Sequence, residues 1–393
     1  MSGEPGALRD LWPLDPDVTF LNHGSFGACP RAVLDHQAEL RAQLERQPVD
    51  FMARQLPGLL DAARERLAAF LGAEPAGLAF ASNATEGVNT VLASYPLSPG
   101  DEILVTDHGY RACTNAARYH AERAGATVRV VPQPFFGVTP DVVVDAVLAA
   151  VGPRTRLALI DHVTSQTGLV LPVERLAPAL AERGVDALID GAHAAGMVPL
   201  ELGALGAAYY AGNCHKWLCT PKGTGYLYVR EDRRAAVHPL TISHGWSLPT
   251  DGRSRFHLEF DWTGTGDPTG LLTVPFAIDY LGGLVPGGWG ALRARNHALA
   301  LGYRAALMKA LALNEAPCGE EMIGALVALP LPDGDAEALN AALWGEHRVE
   351  VPIMPWPAPP RRLVRVSAQL YNTPDDVERL IAGLRELGLA GGR

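Results

Sequence analysis

The chain is poor in cysteine and in charge, and no long apolar run occurs in it. Its five cysteines, Cys29, Cys113, Cys214, Cys219 and Cys318, are scattered and form no CxxC pair. That pattern argues against a disulfide framework and against a zinc site, and no metal is expected. No apolar stretch reaches the roughly 18 residues that cross a bilayer, so no membrane span is expected. Lysine and arginine number 33 against 43 acidic residues. With no basic stripe to offset that balance, nucleic acid is not an expected partner. An acidic surface still permits a locally cationic pocket for an anionic ligand. The segment from Met1 to Asp17 lacks both a basic start and an apolar core. It does not read as a signal peptide, and a cytoplasmic location is expected.

What is present is a core. Hydrophobic residues make up 48% and charged residues 19%, the balance of a soluble globular protein. The length of 393 residues suits one large domain plus a smaller one. A short strand is expected over 18–21, then a turn over 22–27. Helical spacing of leucines runs over 31–71, with a break expected near Pro57. From about residue 76 to 230 short apolar runs alternate with helical stretches. The strand candidates are Leu78–Ala81, Glu102–Thr106, Thr127–Val131, 156–161, 187–190, 207–211 and Gly225–Val229. Runs of this kind suit strands buried on both faces of a parallel sheet. Strands over 323–329 and 363–366 are expected in a smaller mixed unit, with the proline-rich 352–360 as a loop.

In open parallel sheets ligands sit beyond the carboxyl ends of the strands, so the polar residues found there are the informative ones. Ser82, Asn83, Ala84, Thr85 and Glu86 open a helix. They read either as a phosphate cradle of free N–H groups or as a plain capping box. Asp107, His108, Gly109 and Tyr110 offer a ring to lie over a flat ligand, or a capped helix start. The run from His162 to Gly168 offers hydroxyls, among them Ser165, to a ligand oxygen, or forms a polar turn. Asp190, in Asp190-Gly191-Ala192-His193, is a carboxylate at a buried strand end that needs a partner. A protonated pyridine nitrogen is one, and a helix cap is the other reading. Lys216 follows Asn213 and His215 and leads into a glycine-rich exit. A desolvated lysine beside other cations loses its proton more easily and forms a Schiff base with an aldehyde; the other reading is a surface lysine in a polar loop. Arg365 lies in an apolar strand and suits a two-point grip on a carboxylate, or a structural ion pair. Together these groups match the needs of pyridoxal phosphate.

The sequence resembles the class V aminotransferase group of fold-type I pyridoxal-phosphate enzymes, from about residue 18 to 388, and within it the isopenicillin N epimerase-like branch. The resemblance rests on 21–27 (LNHGSFG), 83–87 (NATEG), 213–217 (NCHKW), 262–265 (WTGT), 349–352 (VEVP), and Arg365-Val366-Ser367 through Tyr371-Asn372. It implies an α/β fold: a large domain with a mostly parallel seven-stranded sheet between helices, and a smaller α+β C-terminal domain. The implied units are an arm and helix over 1–50 that join the small domain, a cofactor-binding domain over 51–268, and the small domain over 269–393.

The resemblance also implies roles. Lys216 is the Schiff-base lysine, Asp190 pairs with the pyridine nitrogen, and His193 lies near the ring oxygen. Asn83, Ala84 and Thr85 hold the phosphate with His215, while Asn213 stands where many relatives have serine. Tyr110 stacks on the ring, with His108 as its rival. Ser165 stands where cysteine desulfurases carry an asparagine. Thr265 reaches the phosphate of the other subunit, which implies a homodimer. Arg365, with Asn22 and Ser25, holds an amino-acid-type substrate by its α-carboxylate. The carbanion at Cα then has three fates: epimerisation, with the second proton from Tyr110, His108 or His23; loss of a β-group, as in a C–S lyase acting on a cysteine conjugate; or transamination. Cysteine desulfurases carry a catalytic cysteine on the loop that here reads 345–352, and this stretch has none, so that activity is not expected.

Overall fold

The computed structural model describes residues 8–391, and the expectations placed on 1–7 and 392–393 lie outside them. In chain order the strands are β1 (Thr19–Phe20), β2 (Leu78–Ala81), β3 (Glu102–Thr106), β4 (Thr127–Val131), β5 (Thr155–Asp161), β6 (Asp186–Gly191), β7 (Tyr209–Asn213), β8 (Gly225–Val229), β9 (Leu326–Leu331), β10 (Val349–Glu350), β11 (Ile353–Pro355) and β12 (Arg362–Ser367). Seven of them form one sheet in the order β2-β8-β7-β6-β5-β3-β4. All its neighbours run parallel except β8, which is antiparallel to both β2 and β7. This is the α/β sheet the alternation of apolar runs predicts.

Its strands are apolar because both faces are covered. Leu157 and Leu188 face one hydrophobic cluster, Ile160 and Ile189 the other, and all four are fully buried. Helices Ala84–Ser94 and Arg111–Ala124 cover the first face, and Val173–Ala181 packs on the second. A period-2 run buried on both sides has no polar alternation to show, which is why its valines and isoleucines read as continuous stretches.

A second sheet, β11-β12-β9, is antiparallel. β1 pairs in parallel with β10, Thr19 opposite Val349, which ties the N-terminal segment to the C-terminal part of the chain. Three expectations are corrected. β7 spans Tyr209–Asn213 rather than 207–211, because Gly212 pairs with Gly191 on one side and Tyr226 on the other, and Asn213 pairs with Gly225. The 352–360 stretch is not all loop: Ile353–Pro355 is an edge strand whose Pro355 sits at its end, where a missing N–H costs no ladder bond. The long helix breaks at Gln47–Pro48, not at Pro57. Pro57 instead follows a π-helical turn, Phe51–Gln55, and occupies the first turn of Leu56–Leu71, where a helix tolerates a residue without an N–H.

Candidate active site

Strands β5, β6 and β7 end side by side, and residues at or just beyond their ends line one small, partly enclosed cavity. Lys216, His193 and Asp190 line it together with Tyr110, Asp161 and Ser165. Register explains the grouping. Asp161 and Asp190 are paired positions on neighbouring parallel strands, so both carboxyls leave the sheet at one level and on one face.

Lys216 is partly buried, with Nζ 3.1 Å from His193 Nε2. Burial lowers its amine from the usual value to about 8, against the opposing pull of the Asp190 carboxylate. An amine so shifted is partly free base near neutrality, the form that attacks an aldehyde. One expected result follows: covalent capture of pyridoxal phosphate by the cofactor-free protein speeds up with rising pH and levels off above about pH 8. Stopped-flow absorbance against pH reads it. A rate still climbing beyond pH 10, as for an ordinary lysine (about 10.4), contradicts the assignment.

The backbone of Lys216 is held from below. Its carbonyl lies 2.9 Å from His23 Nε2, and His23 Nδ1 lies 2.8 Å from the Tyr371 hydroxyl. Gly27, at φ 71°, passes so close that a Cβ would fall 2.1 Å from the His215 carbonyl oxygen, so only glycine lets the N-terminal segment lie on the lysine loop. His193 is buried and far below the usual histidine range, first through burial and then through Lys216 and Arg365 nearby. As a neutral ring it accepts from Trp217 Nε1 at 3.4 Å.

Asp190 accepts the Ala192 N–H at 3.0 Å on one oxygen and the Cys113 thiol at 3.0 Å on the other. The Ala84–Ser94 helix starts beside it. Asn83 caps that helix by accepting the Glu86 N–H at 2.9 Å, and Glu86 in turn accepts the Ser82 N–H at 2.7 Å. The cap is therefore real, though not a reciprocal capping box, because Glu86 reaches Ser82 rather than the Asn83 N–H. It does not exclude an anion, since the Thr85 N–H lies in the first turn, where no intrahelical carbonyl is available. Asn213 Oδ1 accepts the Ala84 N–H at 2.8 Å, which fixes the loop from the end of β7. A Cβ at Gly225 would meet Asn83 Cα at 2.8 Å, so β8 too needs a glycine where the loop crosses it. His215 is about 4 through burial and sits 3.1 Å from the Thr224 carbonyl.

Arg365 comes from β12 of the smaller sheet. It is buried, donates to the Ser165 carbonyl, and donates to Ser25 Oγ at 3.2 Å. Ser25 donates to Asn22 Oδ1 at 2.5 Å, and Asn22 donates to Glu350 at 2.8 Å. Burial lowers the guanidinium to about 10, which still leaves it a cation at neutral pH. Its Nε has no partner, and it makes no ion pair among the described residues. A buried cation without a counter-charge is costly, and a ligand carboxylate supplies both the charge and the acceptor.

Sequence-predicted residues do not all meet here. His108 is buried away from the cavity lining, with Nδ1 2.9 Å from Thr167 Oγ1 and Nε2 3.2 Å from the Gln133 carbonyl. Its ring packs edge-on against Trp356. His23 is fully buried beneath Lys216, held neutral by burial at about 3. Thr265 is exposed on the loop after Trp262 and is not among the cavity-lining residues. Two residues escaped the sequence reading. Asp161 is the last residue of β5, masked by the polar run that follows it, and two neighbouring strands both ending in aspartate is the signal that would have found it. Cys113 gave none.

The donor set fits pyridoxal phosphate: an amine partly in the free-base form, a carboxylate for a ring nitrogen, the Thr85 N–H at a helix start for a phosphate and an unpaired buried guanidinium for the substrate. The family model for class-V aminotransferases matches residues 28–380. The chain is 43% identical over 397 residues to the isopenicillin N epimerase of Amycolatopsis lactamdurans, covering 96% of this chain and 97% of that one. To the isopenicillin N epimerase of Streptomyces clavuligerus it is 36% identical over 389 residues, covering 95% and 96%. Among solved structures, the apo cysteine desulfurase of Thermococcus onnurineus NA1 superposes with a TM-score of 0.82 at 21% identity, covering 98% and 99%. At that identity the likeness speaks for the fold alone. Sequence, fold and donor set agree: the chain is an enzyme of the class-V aminotransferase family, and pyridoxal phosphate is its cofactor.

Proposed function

We propose that this enzyme inverts configuration at the Cα of an amino acid or amino-acid conjugate. The observation that carries the reading is the 43% identity to an isopenicillin N epimerase along 96% of the chain. Bound in the cavity, pyridoxal phosphate supplies the electron sink that makes the Cα–H bond acidic. The protein's own groups do the rest. Lys216 holds the cofactor aldehyde and, once displaced, its Nζ accepts the Cα proton on one face. Asp190 holds a proton on the ring nitrogen. Asn83, Ala84, Thr85 and His215 cradle the phosphate, with Asn213 fixing their loop. His193 and Ser165 flank the ring. Arg365, backed by Ser25 and Asn22, grips the α-carboxylate and so sets which bond stands across the ring plane.

The second face needs an acid. Of Tyr110, His108 and His23, Tyr110 alone lines the cavity. Burial, then Cys113 and Asp190, push its hydroxyl up, so it stays protonated and is a competent donor. The same ring would lie over the cofactor when it is bound. Persulfide chemistry has no support here, since all five cysteines are buried and none lies in 345–352.

A dimer accompanies this reading. Leu240, Ile242, Trp246 and Leu248 are exposed within one loop, and Thr265 is exposed nearby in sequence, which suits a phosphate contact across a two-fold axis. Sedimentation as a monomer at micromolar concentration overturns it. The expected units remain an arm over 1–50, a cofactor-binding domain over 51–268 and a small domain over 269–393. The β1–β10 pairing, which joins the arm to the last of these, supports that division.

Incubation of amino acids and conjugates in deuterated water tests the function. Epimerisation places deuterium at Cα with inversion and without release of pyruvate or formation of pyridoxamine phosphate. Tyr110→Phe keeps exchange and loses inversion. Pyruvate or pyridoxamine phosphate as the main product contradicts the proposal and identifies a lyase or a transaminase.

A further inference from the structure

Asp161 has no part in the roles above, yet it shares the cavity with Lys216 and Asp190. It is 3% exposed, as is Asp190. The two carboxyls end adjacent strands at paired positions, and two carboxylates in one dry pocket do not both ionise. Their surroundings decide which one keeps the charge. Asp190 accepts one donor on each oxygen, the Ala192 N–H and the Cys113 thiol. Asp161 meets longer contacts: both its oxygens share the Tyr110 N–H, at 3.2 and 3.4 Å, and the Ser165 backbone N–H also faces it.

We propose that Asp161 is a positioning residue that works as an uncharged carboxylic acid: it anchors the Tyr110 backbone at the cavity and leaves Asp190 as the sole anion facing the cofactor ring nitrogen. Charged and titratable groups surround it on each side. Asp190 lies on β6, Lys216 follows β7, and Tyr110 and Cys113 belong to the start of the Arg111–Ala124 helix. Burial, then Asp190, push the Asp161 carboxyl well up, and the Tyr110 N–H, Lys216 and the Ser165 N–H only partly oppose them. One negative charge instead of two faces the ring, so the ring proton is held by one acceptor in a fixed place. The same carboxyl that stays neutral fixes the helix start that presents the Tyr110 ring.

The inference rests on the cofactor reading of Asp190, but its first test does not. Infrared difference spectra of cofactor-free protein at pH 7, wild type minus Asp161→Asn, are expected to show a protonated carboxylic acid C=O band, above the amide region and shifted in deuterated water. An ionised carboxylate band in its place overturns the proposal whatever reaction the enzyme catalyses. The second test is binding of pyridoxal phosphate. Asp161→Asn is uncharged and still accepts the Tyr110 N–H, so it keeps wild-type affinity. Asp161→Ala strands that N–H and weakens affinity roughly tenfold. Wild-type affinity in Asp161→Ala overturns the positioning role. Should the alanine variant fail to fold, the asparagine spectrum and its affinity still decide.

Discussion

Lys216→Ala is expected to lose at least about a thousandfold in kcat, within the range that removal of a positioned general base produces (about 10²–10⁴-fold), with the loss of covalent attachment added. The fold is expected to survive. The side chain makes one polar contact, to His193, while the loop that carries it is held by backbone contacts to His23 and Thr224. The variant should bind pyridoxal phosphate weakly and reversibly through Asp190 and the Ala84–Ser94 helix start, without the absorbance of the lysine-linked cofactor. Exogenous methylamine, which replaces the amine but not its tether, should restore a small part of the exchange rate. A variant with more than a tenth of wild-type activity is incompatible with Lys216 as the base.

The second large effect belongs to Arg365. Arg365→Met removes the buried guanidinium and keeps the packing volume. Losing one partner of a buried, hydrogen-bonded charge pair costs about 2–4 kcal/mol, so kcat/KM for carboxylate substrates should fall roughly 30- to 1,000-fold. Stability should move the other way. In the free protein Arg365 has no counter-charge and an orphaned Nε, and replacing an uncompensated buried cation by an apolar side chain relieves that cost. The methionine variant should therefore melt no lower than wild type while the cofactor spectrum stays unchanged. Arg365→Lys restores charge but not the fork, and recovers little. A fall in melting temperature with unaltered kcat/KM marks Arg365 as structural instead.

Much of this was legible in the sequence, for a physical reason. Strands buried on both faces announce themselves as apolar runs, and six of the seven in the large sheet lie within a residue of their expected bounds. β7 misled because Gly212 and Asn213 have weak strand preference, and only the ladders on either side extend it to them. Ile353–Pro355 was hidden by Pro352 before it and Pro355 at its end, which an edge strand tolerates. Helical spacing could not place the break at Pro48 rather than Pro57, because a π-turn absorbs the irregularity before Pro57.

The site was legible through the types of residue that follow strands. Side chains at strand ends point alternately to the two faces, and the sequence does not say which face the ligand occupies. His162 shows this: its Nδ1 lies 2.8 Å from the Tyr210 hydroxyl, engaged in packing within the same polar run that sends Ser165 into the cavity. His108 and His23 are candidates by type, and both are buried outside the cavity lining with both ring nitrogens engaged. Asp161 and Cys113 owe their importance to register and to helix packing, which arise only when β5, β6 and the Arg111–Ala124 helix meet.

The central claim is that one lysine, Lys216, is where the cofactor is held. Borohydride reduction of the loaded enzyme followed by peptide mass spectrometry tests it most directly. The account predicts one phosphopyridoxyl group per chain, on the peptide that contains Asn213-Cys214-His215-Lys216-Trp217. Modification at Lys222 or Lys309, or none at all, contradicts it.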